Sequence, residues 1–228
     1  MLFRQLFDLT SSTYTYLIAS ASGREGVIID PVFEQITLYE KLLHELGLRL
    51  VLTIDTHTHA DHITGSGALR QQCQSRVAMG EKTKAEHVDL KVKDGAIIRI
   101  DDIEIKALYT PGHTDDCYSF YMNDRVFTGD TLLIRGTGRT DFQEGDPYKA
   151  YDSLFNKLLT LPDETFVYPG HDYKGITVST IKEEKQFNPR LQVRSAEEYA
   201  SMMNGLNLAR PKQMDVAVPA NLKCGILK

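Results

Sequence analysis

The segment Thr56-His57-Thr58-His59-Ala60-Asp61-His62 puts three imidazoles and a carboxylate into residues 57–62, directly after an apolar stretch at 48–54. Imidazole is the commonest protein ligand for metals, and a carboxylate oxygen completes sites for zinc, iron or manganese. In extended chain His57 and His59 share a face, with Asp61 two residues further on. The alternative is a polar surface loop that happens to be rich in histidine. Only seven histidines occur in 228 residues, so three in one hexapeptide weigh against that. The segment reads as a metal site delivered by the end of a strand.

Length and composition narrow the setting. With 42% hydrophobic residues in 228, the chain can bury a sizeable core. Its 26 basic and 31 acidic residues leave a net charge of -5, which argues against a broad nucleic-acid-binding surface. No apolar run reaches the roughly 18 residues that a membrane span needs. Residues 1–8 carry one arginine and no long apolar core, unlike a secretory signal or an amphipathic transit peptide. Cys73, Cys117 and Cys224 are scattered and odd in number, which suits a reducing cytoplasm better than a disulfide framework. Neither nucleic acid nor membrane is expected as a partner.

Residues 14–19 hold Tyr, Thr, Leu and Ile and predict a strand, 22–26 a turn, and 26–30 an apolar strand stopped by Pro31. Ile36, Tyr39, Leu42, Leu43 and Leu46 recur at helical spacing over 34–46, with Gly47 as the stop. The strand at 48–54 follows, then a helix at 67–73 and a short strand at 76–79. Strands at 97–100 and 103–109 flank Asp101-Asp102 as a hairpin, and 118–122 and 125–128 do the same around Asn123-Asp124. Pro147 opens a helix predicted to run to 159. A strand at 165–168 and helices at 176–187 and 196–206 complete the order. It predicts an α+β fold, two mixed sheets covered by helices. A single domain at 1–228 is expected, with 188–228 as a short C-terminal extension packed on it.

Three more strand ends carry ligand-type residues behind a glycine: Gly112-His113, Gly129-Asp130 and Gly170-His171. Each glycine permits a tight turn that aims the next side chain back over the sheet edge. Singly, such a motif is more often a plain turn. Together with 57–62 they gather five of the seven histidines into one repeating context, leaving His44 and His87 outside it. In order and spacing, His-x-His-x-Asp-His at 57–62 with His113, Asp130 and His171 resembles the metallo-β-lactamase superfamily. The resemblance implies an αββα sandwich with metals at the edge of two packed sheets. In dinuclear members His57, His59 and His113 would hold one metal, Asp61, His62 and His171 the other, and Asp130 would bridge.

Further motifs are similar to the persulfide dioxygenase family. They are the first motif continued to Ile63-Thr64-Gly65, then Arg135-Gly136-Thr137-Gly138-Arg139-Thr140-Asp141-Phe142-Gln143-Glu144-Gly145, Asn188-Pro189-Arg190-Leu191, and Val218-Pro219-Ala220-Asn221-Leu222-Lys223-Cys224-Gly225. The sister family glyoxalase II shares Gly-x-Gly-Arg. It usually has a third consecutive histidine where this chain has Thr58, and a longer helical C-terminal domain for glutathione.

The resemblance implies one Fe(II) per chain, held by His57, His113 and Asp130. Two imidazoles and a carboxylate on one octahedral face leave three positions open. Triplet O2 reacts slowly with closed-shell thiols, and Fe(II) can share an electron with it where Zn(II) cannot. The implied reaction puts both atoms of O2 on the terminal sulfur of glutathione persulfide, and water then releases sulfite and glutathione. His59, Asp61, His62 and His171 would orient ligands and waters through hydrogen bonds.

Arg139 is expected to clamp a glutathione carboxylate, against the alternative of an ion pair with Asp141. Tyr173 stands two after His171, where glyoxalase II relatives have a tyrosine that contacts glutathione. Arg190 and Lys212 read as solvated charges, and Cys224 as a small packed residue. The expected location is cytoplasmic, or the mitochondrial matrix in a eukaryote. A homodimer is compatible with such a chain, and a rhodanese-type sulfurtransferase would be a separate protein. The competing reading is a dinuclear hydrolase of glutathione thioesters, which needs a bridging hydroxide and two filled sites. A secreted β-lactamase is disfavoured by the missing signal segment, and a non-catalytic member by the intact ligand set.

Overall fold

Six strands in the first half of the chain pair in sequence order into one sheet: β1 (Leu2–Asp8), β2 (Thr13–Ala19), β3 (Glu25–Ile29), β4 (Arg49–Ile54), β5 (Arg76–Gly80) and β6 (Leu90–Val92). The computed structural model describes residues 1–226. β1, β2 and β3 run antiparallel, whereas β3, β4, β5 and β6 run parallel. Parallel neighbours need a crossover, and α1 (Ile36–Glu45) and α2 (Ser66–Cys73) supply two of them. The second half begins with β7 (Ile97–Ile100), β8 (Ile103–Tyr109), β9 (Tyr118–Met122) and β10 (Arg125–Gly129). A small ribbon follows, β11 (Leu132–Leu133) with β12 (Gly136–Thr137), then α3 (Pro147–Asp152), β13 (Phe166–Pro169) and β14 (Ser179–Thr180). The chain closes with α4 (Ile181–Phe187), α5 (Ala196–Asn204) and α6 (Met214–Asn221). The second sheet has the order β14-β13-β10-β9-β8-β7, with β10 and β13 parallel and the other pairs antiparallel.

Strand alternation sorts side chains into three apolar layers. In β2, Tyr14, Tyr16 and Ile18 pack between the sheets with Phe120 and Phe127. Leu17 and Ala19 point the other way, onto Ile36, Tyr39 and Leu43 of α1 and Leu69 of α2. In β10, Phe127 faces the inter-sheet core while Val126 faces Ala150, Leu154 and Tyr199. Phe120 and Phe127 are fully buried, each stabilising the sandwich by roughly 1.5–3 kcal/mol relative to exposure. The result is helix, sheet, sheet, helix: the expected αββα sandwich of two mixed sheets.

The predicted hairpins at 97–109 and 118–128 are present in register. Other elements differ. β1, β6 and α6 were not anticipated. The helix expected over 176–187 begins only at Ile181, because Asp172 Oδ2 accepts from the N–H groups of Lys174 (2.8 Å) and Ile176 (2.7 Å) and curls that segment into a turn. Ser179 and Thr180 then pair with Val167 and Phe166 as an edge strand, and Thr180 caps α4. The helix from Pro147 runs on as predicted, but through a π-helical turn at Ser153–Lys157, where the Ser153 hydroxyl donates to Pro111 O at 2.7 Å. No helix among the described residues is long and apolar enough to cross a membrane.

Candidate metal centre

The loops that follow β4, β8, β10 and β13 carry the sequence-predicted ligands, and they meet. His57, His113 and Asp130 each bring a ligand atom to within 4.8 Å of the other two. Gly129 makes this approach feasible: its φ is +49°, and a Cβ there would lie 2.5 Å from Thr56 Oγ1. The end of β10 can therefore sit directly against the loop of His57.

Hydrogen bonds fix which ring nitrogen faces inward. Thr56 Oγ1 donates to Asp30 Oδ2 (3.0 Å), so its lone pair accepts from His57 Nδ1 (3.0 Å) and Nε2 is left with a free lone pair. His113 Nδ1 donates to the Arg139 carbonyl at 2.7 Å, which frees its Nε2 in the same way. That Nε2 lies 3.6 Å from Asp130 Oδ2. Burial, then the charges of His59 and His113, push the His57 imidazole down to about 3, so it stays neutral as a ligand must. Burial opposes ionisation of Asp130, but His171, then His113 and His57, hold its carboxyl well below the usual carboxylate range. Two imidazoles, each with Nδ1 bonded and Nε2 turned inward, beside an ionised carboxylate fit a divalent cation.

The other predicted residues form a second group. His59, Asp61 and His62 also bring ligand atoms within 4.8 Å of one another. His59 Nε2 donates to Asp30 Oδ1 at 3.1 Å, and His62 Nδ1 meets Asp61 Oδ2 at 2.8 Å. The opposite nitrogens, His59 Nδ1 and His62 Nε2, are buried without a hydrogen-bond partner. His171 is engaged on both sides, by Asp130 Oδ1 through Nδ1 (2.6 Å) and by Asp61 Oδ2 through Nε2 (2.8 Å). Burial would discharge this ring, yet the two carboxylates raise it well above the ordinary imidazole value. Both ring nitrogens thus face carboxylate oxygens.

Asp61, His113, Asp130 and His171 open into a cavity of about 810 Å³ that also takes in Arg139, Tyr173, Lys174, Arg190, Leu208, Ala209, Pro211, Lys212 and Gln213. Arg139 does not present a free fork to it. Nε and Nη2 bond Asp141 at 2.7 and 2.8 Å, and Nη1 and Nη2 reach the carbonyls of Ala209 (2.7 Å) and Leu208 (3.2 Å). These four bonds leave a single guanidinium N–H. The ion pair weighed as the alternative is the arrangement present, and Arg139 straps one wall of the cavity. Tyr173 is 73% exposed at the rim, its ring stacked on His171 at 6.1 Å. Arg190, read as a surface charge, is half-buried on the cavity wall and donates to the Thr137 carbonyl. His44 and His87 are exposed and lie outside these ligand groups.

Several residues of the centre escaped sequence reading. Asp30 accepts from Thr56 N–H, the Thr56 hydroxyl and His59 Nε2. Its signal was available: a carboxylate closing an apolar strand, as at the other ligand loops. Thr13 Oγ1 stands 3.1 Å from both Asp61 Oδ2 and His171 Nε2, and Asn221 bonds the main chain of the histidine loop. Nothing in residue type or spacing marked either one.

Residues 10–171 match the family model described as the metallo-beta-lactamase superfamily. The human protein named Persulfide dioxygenase ETHE1, mitochondrial is 47% identical over 231 residues, covering 99% of this chain and 89% of that one. The chain belongs to the metallo-β-lactamase superfamily and, within it, to the persulfide dioxygenase family. The crystal structure of ETHE1 from Myxococcus xanthus is 54% identical with a TM-score of 0.97, covering 99% of this chain and 100% of that one. Glyoxalase-II-type proteins of the superfamily are more distant. A hydroxyacylglutathione hydrolase of Pelagibacter ubique is 30% identical, over 83% of this chain and 79% of its own.

Proposed function

We propose that this enzyme oxidises glutathione persulfide with O2 to sulfite and glutathione, using one Fe(II) bound by His57, His113 and Asp130. The observation that carries the reading is the pairing of this triad with an engaged His171. Three inward lone pairs on one face leave room for substrate and O2, the arrangement of non-heme iron oxygenases. Fe(II) held there supplies the unpaired electrons that let ground-state O2 react with a closed-shell sulfur. The chain does the rest. Asp30, through Thr56, and the Arg139 carbonyl hold the two imidazoles in the ligating tautomer. His171 holds one oxygen of Asp130 and leaves the other for the metal. Arg190, Lys174 and Lys212 on the cavity wall provide cations for the two carboxylates of glutathione, with the persulfide tail directed inward and Tyr173 at the entrance. A location in cytoplasm or mitochondrial matrix and a separate sulfurtransferase as persulfide source belong to this proposal.

One observation favours the second reading, a dinuclear thioester hydrolase: the orphaned nitrogens of His59 and His62 lie beside Asp61. Against it, His171 has no free lone pair while both its nitrogens serve carboxylates. Metal analysis of anaerobically purified protein separates the two. The proposal expects one iron per chain in the wild type and none retained in Asp130→Ala. Two tightly bound metals per chain, or stoichiometric iron in Asp130→Ala, contradicts it.

A further inference from the structure

Helix α6 ends on a side chain that reaches into the histidine loop from the far end of the sequence. Asn221 is 2% exposed. Its Nδ2 donates to the carbonyls of His59 (2.9 Å) and His62 (2.8 Å), and its Oδ1 accepts from the N–H of Thr64 (2.9 Å). Both amide hydrogens and one oxygen lone pair thus serve three backbone groups of a single loop. Residues 55–63 belong to neither helix nor strand, so no ladder supplies donors to those carbonyls.

Two further contacts fix the helix end onto the same stretch. Cys224 O accepts from Gly67 N–H at 2.8 Å. Gly225 has φ +72°, and a Cβ there would lie 2.0 Å from Thr64 O, so the two main chains touch directly. From the opposite side, Asp55 accepts from the hydroxyls of Thr64 and Ser66, each at 2.7 Å. The loop is gripped from both faces.

We infer that Asn221 is a positioning residue of the metal centre. It fixes the main chain between His59 and Thr64, and through it the directions of His59, Asp61 and His62 around the triad. All three of its hydrogen bonds go to main-chain groups and none to a ligand-type side chain. Its role is to hold the groups that do the orienting, in the way that supporting hydrogen bonds set a site's precision. The inference rests on the metal centre proposed above, and its test is chosen to fail separately from that reading.

The probe is cobalt(II), added to the metal-free full-length protein, with affinity and the visible ligand-field spectrum recorded beside the melting temperature. Asn221→Asp keeps the shape but sets an acceptor against two carbonyls, and Asn221→Ala removes the bonds without adding charge. Leu222→Ala, the next residue of the chain, shortens a half-buried apolar side chain that makes no hydrogen bond to the loop. Both Asn221 variants should bind cobalt about tenfold more weakly with an altered spectrum. Leu222→Ala should melt lower yet keep the wild-type spectrum and affinity. A wild-type spectrum and affinity in a folded Asn221 variant overturns the inference, as does an equal loss in Leu222→Ala. Failure of the triad itself looks different: cobalt would bind Asp130→Ala as tightly as the wild type.

Discussion

The Nδ1 of His171 lies 2.6 Å from Oδ1 of Asp130, so one oxygen of the proposed metal-binding carboxylate is already held by an imidazole. His171 then acts on the metal through Asp130. His171→Ala should keep about one iron per chain while lowering metal affinity or turnover by roughly 10–100-fold. Iron analysis with oxygen uptake checks this, and a variant free of iron at saturating metal would make His171 a ligand instead.

Arg139 grips Asp141 and the main chain at 208–209, so its effect on substrate passes through the cavity wall. Arg139→Lys loses the two-pronged geometry and should raise KM for glutathione persulfide about tenfold, with kcat changed far less. Asp141→Asn loosens the same guanidinium and should reproduce the effect in weaker form. If Arg139 instead clamps substrate directly, Asp141→Asn frees it and KM falls.

Thr58 ties the His57 loop to the His113 loop. Its hydroxyl donates to Asp116 Oδ2 at 2.6 Å, its N–H does so at 3.2 Å, and its carbonyl accepts from Gln143 Nε2 at 2.6 Å. Thr58→Val deprives a buried carboxylate of one donor and should cost about 1–3 kcal/mol. Thermal melting of the metal-free protein should fall by roughly 2–4 °C for each kcal/mol lost. An unchanged melting temperature would show that the backbone N–H alone suffices.

The metal-free protein should be most stable near the ordinary imidazole value of about 6.5. Burial, then neighbouring imidazoles, depresses His57 to about 3 and His59 to about 4. Their contribution is complete above about 6.5 and is lost as pH falls through those values. His62 and His171 are raised, since Asp61, and for His171 also Asp130, outweigh burial. Their contribution is complete below about 6.5 and is lost as pH rises. Asp30, raised by burial to about 6, partly offsets the acid-side loss between about 4 and 6. Denaturant unfolding across pH should give a maximum with decline on both sides, and a steady rise from acid to alkali contradicts this balance.

The fold was legible where one physical signal dominated. The hairpins at Asp101-Asp102 and Asn123-Asp124 follow from strand alternation broken by turn residues, and the gathering of the seven ligand-type side chains follows from their placement at strand ends. β1 was hidden because Arg4 and Gln5 break its apolar pattern and it pairs only with β2. α6 was hidden by Pro219 inside it. Asp172 pulled the start of the predicted 176–187 helix into a turn, a competition between side chain and backbone that periodicity does not register. At the centre, residue type told which groups can bind a metal. Which of them are already spent on each other, as His171 is on Asp61 and Asp130, depends on distances that no spacing rule contains. Arg139 is the same case, since its partners at 208–209 lie some seventy residues away.

The central claim is oxidation at sulfur by a single iron, and oxygen uptake tests it most directly. Iron-loaded protein given glutathione persulfide in an oxygen-electrode cell should consume one O2 for each sulfite formed, at about one iron per chain. No oxygen uptake, together with turnover of S-lactoylglutathione by protein carrying two metals per chain, would contradict it.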